Sequence, residues 1–238
     1  MIENAAFQKK TEYIDAHCHI LPGVDHGAKD AATAYSIAKS LKAFGFSCCY
    51  ATPHFYFYEE KVEDFIARRD FSYANTPFPD GFTVIPGAEI AYEAGISKRC
   101  DLSKLTIAGT DKILIELPMK RFSSRIVEEF YEIGQCHGVK IILAHAERYL
   151  PYMTFNEYRE LSNVDDIMFQ INLFSLKRLT TKLFLKRLLN NGVNVIFGTD
   201  IHELDIRLSH SEKGLMYLKN ALQPVVFERM MHCQEVIL

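Results

Sequence analysis

The stretch Tyr13-Ile14-Asp15-Ala16-His17-Cys18-His19-Ile20-Leu21-Pro22-Gly23-Val24-Asp25-His26-Gly27 is where the chain first concentrates residues able to do chemistry. An apolar, β-prone lead-in runs into histidines at i and i+2. On an extended backbone this spacing puts both imidazoles on one side of the strand, where they can chelate one ion. Pro22-Gly23 then turns the chain and brings Asp25 and His26 back toward them, so four metal-capable side chains fall within ten residues. The pattern points to a polynuclear metal site.

The same theme recurs along the chain. Short apolar runs end on His54, Glu89, Glu116, His145 and Asn172, and the last runs through Gly198-Thr199 into Asp200 and His202. Six of the nine histidines fall at such ends. A single histidine after a strand is commonly a loop or core residue with a satisfied hydrogen bond. A crowd of imidazoles and carboxylates on one face is different, because unpaired they are costly to bury and metal ions offset that cost. Mixed His and carboxylate ligands without a cysteine cluster suit Mn, Fe or Zn in a reactive site, not a structural zinc or an iron–sulfur cluster.

Two arginines add a second clue. Arg148 stands three residues past His145, and Arg207 shortly past His202; the guanidinium fork matches phosphoryl oxygens. Pairing with neighbours such as Glu147 or Asp205 is the competing structural use of the same side chains. Serine catalysis has no nucleophile elbow here. No cysteine is followed at the required spacing by an arginine in a Gly-rich turn, which disfavours a cysteine-based phosphatase loop.

Elements that would carry these residues alternate regularly. Strands are expected at Tyr13–His19, Ser47–Ala51, Phe82–Glu89, Lys112–Glu116, Lys140–Ala144, Ile167–Asn172 and Val193–Phe197. Between them lie helical stretches, among them residues 30–44 with Asp30 as N-cap and Gly45 as stop, and residues 124–137 closed by Gly138. Strand ends spaced by roughly thirty residues match a βαβ unit. Apolar strands with helical crossovers mean parallel pairing, so an α/β barrel-like domain of seven strands is expected, with the chemistry on its C-terminal face. Residues 1–11 read as an N-terminal extension and residues 12–238 as a single domain.

Composition narrows the function. A chain of 238 residues with a formal charge of −3 has no basic stripe for nucleic acid, so none is expected as partner. Six cysteines in mostly apolar contexts, with no C-x-x-C pair, fit buried free thiols in a reducing compartment. The start lacks an apolar signal region, and no apolar run approaches the length of a membrane span. A cytoplasmic protein without membrane insertion is expected.

The segments His17-Cys-His19-Ile-Leu-Pro-Gly-Val-Asp25-His26-Gly27, Thr52-Pro-His54, Pro86-Gly-Ala-Glu89, Ile115-Glu116, His145-Ala-Glu-Arg148-Tyr149 and Gly198-Thr-Asp200-Ile-His202 together resemble the PHP (polymerase and histidinol phosphatase) superfamily. Within it they are most similar to the manganese-dependent protein-tyrosine phosphatases of capsular and exopolysaccharide synthesis, the CpsB type. The resemblance implies a distorted seven-stranded (β/α) barrel of PHP type holding three divalent metal ions, Mn with Fe or Zn as alternatives. It assigns His17, His19, Glu89 and Asp200 to the first ion, with Glu89 bridging to a second held also by Glu116 and His145. His26, His54 and His202 go to the third, and Arg148 and Arg207 to phosphate binding. The family usually has Asp-Asp-Gly where this chain has Asp25-His26-Gly27. Asp25 is then expected to be a supporting or turn residue.

The activity implied is metal-assisted hydrolysis of a phosphotyrosine protein, a tyrosine autokinase at the membrane. Two alternatives stay open: a PHP phosphatase for a small metabolite such as histidinol phosphate, and a non-catalytic metal-binding barrel. The aromatic run Phe55-Tyr56-Phe57-Tyr58 reads either as cover over the barrel mouth or as a platform for a phosphotyrosine ring.

Overall fold

The computed structural model describes residues 13–232; the extension of residues 1–11 and Cys233 lie outside the described residues. In chain order the elements are β1 (Tyr13–Cys18), α1 (Ala31–Ala43), β2 (Phe46–Ala51), β3 (His54–Phe55), α2 (Val62–Asn75), β4 (Thr83–Pro86), β5 (Glu89–Ala91), β6 (Lys112–Glu116), α3 (Arg125–His137), β7 (Lys140–Leu143), α4 (Phe155–Leu161), β8 (Met168–Asn172), α5 (Leu179–Asn190), β9 (Val195–Gly198), α6 (Ile206–Ala221) and α7 (Pro224–Met231). Helices α1 and α3 sit where apolar spacing and end signals place them. In α1, Ala34, Ile37, Ala38 and Leu41 form the buried stripe, and Asp30 accepts the Thr33 N–H at 2.7 Å as N-cap. Gly138 closes α3 in the left-handed conformation, φ 64°. The start of α4 has a capping box between Thr154 and Glu157.

All strand pairing is parallel, as expected of an α/β fold. Among the described residues the expected seven strands are found as nine, in a three-stranded sheet ordered β1-β2-β4 and a six-stranded sheet ordered β3-β5-β6-β7-β8-β9. A single closed seven-stranded barrel is therefore not what the hydrogen bonding gives. Two proline-containing breaks are the physical reason. Thr52-Pro53 divides β2 from β3, and Gly87-Ala88, directly after the Pro86 that ends β4, divides β4 from β5; proline has no N–H to continue a ladder. At the far edge the segment after β9 touches β1 through a bridge between Cys18 and Ile201, with His19 N–H donating to Ile201 at 2.9 Å and Asp200 N–H to His17 at 2.8 Å.

Strand side chains separate into two apolar sets. One faces the helices and includes Ile113, Ile115, Ile141, Leu143, Phe169 and Ile171. The other fills the interior between strands with Ala16, Tyr50, Leu114, Ile142, Met168 and Ile196. This inner layer is the floor on which the polar site stands. Among the described cysteines, all free, Cys18, Cys48 and Cys49 are buried as expected, whereas Cys100 is partly exposed and Cys136, on the solvent side of α3, is exposed.

Candidate metal centre

Two-residue periodicity carries most of the site inward. From the floor residue Leu114 the inward row continues to Glu116; from Met168 it continues to Gln170 and Asn172; from Ile196 it continues through Gly198 to Asp200; from Tyr50 it continues through Thr52 to His54. The Gly198 position matters because a Cβ there would stand 2.7 Å from the His17 Cβ. Two ligands need a correction to the period. In β1 the interior residue is Ala16, yet His17 and His19 point inward, because the pairing with β2 is irregular between Asp15 and Cys18 and resets the alternation. Following β7, where Ile142 and Ala144 face in, His145 takes the left-handed conformation at φ 31° and swings its ring back into the site. Asp200 is also left-handed, at φ 51°. Non-glycine residues held there store strain, and both belong to the cluster.

The predicted ligands converge. His17 and His19 Nε2 lie 3.0 Å apart, each 3.2 Å from Glu89 Oε2 and 3.7 and 3.5 Å from Asp200 Oδ1. Glu89 turns its other oxygen to His145 Nε2 at 3.0 Å, and Glu116 Oε1 stands 3.2 Å from the same nitrogen. His54 Nδ1 is 3.1 Å from Glu89 Oε2 and 3.9 Å from Glu116 Oε2. Glu89 thus faces four imidazoles from one carboxylate. His26 stacks its ring 4.9 Å from that of His54 and 4.6 Å from that of His202. Donor atoms within 4.8 Å of one another join His202 and His54 to His19 rather than to His26.

A divalent cation fits this donor set on three grounds. Cis donors about 2.1 Å from a common ion are about 3.0 Å apart, the separation of the His17 and His19 nitrogens. His54 Nδ1, His202 Nε2 and Glu89 Oε2 are buried without a hydrogen-bond partner among the described residues. Third, the cluster demands positive charge. Burial works against a proton on His17, His19 and His145, yet the carboxylates of Glu89, Asp200, Glu116 and Asp25 outweigh it, raising all three and taking His145 to about 10. The same pairing overcomes burial at Glu89 and Asp200 and holds both well below the usual carboxylate range. His54 and His202 are lowered, chiefly by burial, with His202 at about 3, so they present neutral nitrogens.

The ligands are held from behind. His17 Nδ1 meets Gln170 Oε1 at 3.1 Å, His19 Nδ1 meets Asp25 Oδ2 at 2.6 Å, and His202 Nδ1 meets its neighbour's carbonyl, Asp200 O, at 3.1 Å. In each the partner fixes the ring so that Nε2 faces the cluster. Asp25 also accepts the His54 and Gly27 N–H groups, the supporting role expected of it. Gln170 accepts the His145 N–H at 2.6 Å and donates to Asn172, which donates to Asp200 at 2.9 Å. Asp15 accepts both the N–H and the hydroxyl of Thr199, tying β1 to the loop that carries Asp200; burial raises it to about 6.

Sequence reasoning missed Asp15 and Gln170 as site residues. The available signal was a polar residue inside an otherwise apolar strand, two positions from a proposed ligand in β1 and two before Asn172 in β8. Glu147 was read only as a possible partner of Arg148. It is buried, raised to about 7 by that burial, and accepts the Asn172 N–H at 3.2 Å.

Above the cluster opens a cleft of about 580 Å³, lined by His26, His54, Glu89, Glu116, Asp200 and His202 and by Tyr56, Phe174, Arg148 and Arg207. Arg148 Nη1 hovers 3.7 Å from Glu116 and 3.9 Å from Asp200, with its side chain 45% exposed. Arg207 is braced by Asp205, which accepts its Nε–H at 2.8 Å. Both expected arginines therefore border the expected ligands. Phe55 is core, whereas Tyr56 lines the cleft with its ring 5.5 Å from that of His54, so the aromatic run divides between cover and cleft wall.

A family model for capsular polysaccharide synthesis, CpsB/CapC, matches residues 13–235. The tyrosine-protein phosphatase YwqE of Bacillus subtilis (strain 168) is 28% identical over 224 residues, which cover 87% of this chain and 84% of that protein. Among solved structures, one from the crystal structures of YwqE from Bacillus subtilis and CpsB from Streptococcus pneumoniae, described as unique metal-dependent tyrosine phosphatases, superposes with a TM-score of 0.70 at 24% identity, covering 91% of this chain and 90% of that one. A phosphotriesterase homology protein from Escherichia coli, with phosphate in its active site, shares the fold at TM-score 0.51 and 13% identity, covering 94% and 97%. With nearly its whole length matched, the chain belongs to the CpsB/CapC family of capsular polysaccharide synthesis.

Proposed function

We propose that this chain is a metal-dependent protein-tyrosine phosphatase. The observation that carries the reading is the convergence of His17, His19, Glu89, Glu116, His145 and Asp200 on the floor of one cleft whose wall offers Arg148 and Arg207. The similarity to YwqE supports the same activity. The donor set favours three divalent ions, Mn with Fe or Zn as alternatives: His17, His19, Glu89 and Asp200 for one, Glu89, Glu116 and His145 for the second, and His54 and His202 with His26 for the third. When bound, such ions supply Lewis acidity toward phosphoryl oxygens and make water a nucleophile at neutral pH.

The chain's own residues do the rest. Arg148, poised near two acids and half exposed, is free to exchange those long contacts for a phosphate, and Arg207 presents a guanidinium whose orientation Asp205 has set. Together they neutralise charge on the transferring group. Tyr56 and Phe174 give the cleft flat apolar walls for the leaving aryl group. A tyrosyl leaving group, with a pKa of about 10, asks little of a general acid.

The strand order, with the Cys18–Ile201 bridge, supports reading the two sheets as an opened seven-unit barrel of PHP type, and residues 12–238 as one phosphoesterase domain. The natural substrate on this reading is a phosphotyrosine protein, a tyrosine autokinase at the membrane, met from the cytoplasmic side. No helix of the described residues is long and apolar enough to cross a membrane.

The test is turnover of a phosphotyrosine peptide by purified protein, with metal analysis, chelation and Mn²⁺ re-addition, and with histidinol phosphate in a parallel arm. Activity lost on chelation and restored by Mn²⁺, with the peptide preferred, is expected. A metal-loaded preparation that hydrolyses no phosphoester would overturn the reading.

A further inference from the structure

A second pocket lies beside the cleft. The chain passes from one to the other twice: Glu116 and Arg148 line the cleft, and the residues immediately following, Leu117 and Tyr149, line the pocket. Tyr149 is the party wall. It is 1% exposed, its ring is 5.7 Å from that of His145, and its hydroxyl accepts the Leu117 N–H at 2.8 Å. The pocket holds about 230 Å³, enough for one apolar side chain, and is walled largely by apolar groups, including Leu117, Phe122, Ile126 and Met153.

Its rim is cationic and underused. Lys120, Arg121 and Arg125 border the opening and are all exposed. Arg121 is occupied by Glu157, at 2.9 Å, which clamps the rim loop to the start of α4. Lys120 and Arg125 have no ion-pair partner among the described residues. Glu129, a buried acid one turn along α3 from Arg125, accepts the Tyr92 hydroxyl at 2.7 Å. Arg125 opens α3, whose N-cap Ser124 makes no side-chain cap, so the positive end of that 13-residue helix adds to the same rim. An apolar hole bordered by two uncompensated cations is complementary to an apolar side chain with carboxylates next to it.

We propose that this pocket is a substrate-docking subsite that takes an apolar residue of the phosphotyrosine polypeptide, with the acidic residues around it held by Lys120 and Arg125. The inference rests on the phosphatase reading of the adjoining cleft. It gives the enzyme a preference for polypeptide over small aryl phosphates, because a small substrate fills the cleft and never reaches past Tyr149.

The experiment compares wild type with the double variant Lys120→Glu/Arg125→Glu on para-nitrophenyl phosphate and on three phosphotyrosine peptides. One has leucine and glutamate on both flanks, one has glutamine for each glutamate, and one has glycine for each leucine. Wild type should favour the first peptide over the other two. Charge reversal should raise its KM by roughly five- to ten-fold, an effect that shrinks at high salt, and should leave kcat/KM on para-nitrophenyl phosphate and on the glutamine peptide within about two-fold of wild type. Equal losses on all substrates, or no change on any, would overturn the subsite, as would a wild type blind to the leucine and glutamate changes. A wild type that hydrolyses none of the four would instead overturn the phosphatase reading itself.

Discussion

The inner and outer halves of the cluster are built differently. The inner half, His17, His19, Glu89 and Asp200, is buried and includes two carboxylates. Its rings are braced by Gln170 and Asp25, and Asp200 by Asn172. In the outer half His54 and His202 are partly buried and His26 is exposed, its ring stacked 4.9 and 4.6 Å from theirs. Charge and bracing should make the inner sites tight and the outer one labile. On the reading proposed above, the inner half would hold the more firmly bound ions and the outer half the more exchangeable one.

The largest break in this contrast comes at Glu89, the carboxylate that faces His17, His19, His54 and His145 at 3.0 to 3.2 Å. Glu89→Gln should lower turnover by roughly 10³-fold and cost about two metal equivalents, read by elemental analysis of the purified variant. Retention of all metal would show that the carboxylate is not a bridge. Gln170→Ala tests bracing without touching a ligand. It frees the His17 ring and orphans the His145 N–H, and should weaken metal binding by about 10- to 100-fold, with activity restored at high Mn²⁺. Activity that no metal concentration restores would mean that Gln170 serves folding alone.

These residues also mark how far the sequence could be read. Glu116, Asp200 and His54 were legible because each continues an inward row of a parallel strand, and period two is a property of the backbone itself. The pairing of His17 with His19 was legible for the same reason, although the irregularity that aims them inward was not, since it depends on register against β2. The bend at His145 was equally hidden: a left-handed residue after β7 reverses the face that alternation assigns. The braces Asp15 and Gln170 depend on contacts 184 and 153 residues apart, which no local pattern encodes. The two-sheet division at Pro53 and Pro86 was visible in the chain only as two prolines, the second inside the expected strand Phe82–Glu89.

Arg148 lies between the halves, touching Glu116 and Asp200 only at 3.7 and 3.9 Å. Contacts that long in a half-exposed side chain contribute little to stability. Arg148→Ala should therefore leave metal content and melting temperature unchanged while lowering turnover of a phosphotyrosine peptide by at least about ten-fold. Undiminished turnover would remove its phosphate role and leave Arg207 as the only cleft arginine to bind the anion.

The smallest and sharpest effect is expected at His26. Its neighbours His54 and His202 hold neutral nitrogens, so the outer site as built offers imidazoles and no carboxylate of its own. An ion bound there has to share Glu89, whose Oε2 is 3.1 Å from His54 Nδ1, with the inner half and has no carboxylate to itself. His26→Ala should then lose only the most labile metal equivalent, with a few-fold fall in turnover that added Mn²⁺ offsets. His26→Asp should do the opposite, slowing the chelator-induced loss of that equivalent by a few-fold, because an anion now joins two neutral donors. Timed chelation followed by elemental analysis separates the cases. If both variants release metal at the wild-type rate, His26 is a stacking partner for His54 and His202, and the outer ion is held by His54 and His202 with His19, the group whose donor atoms already lie together.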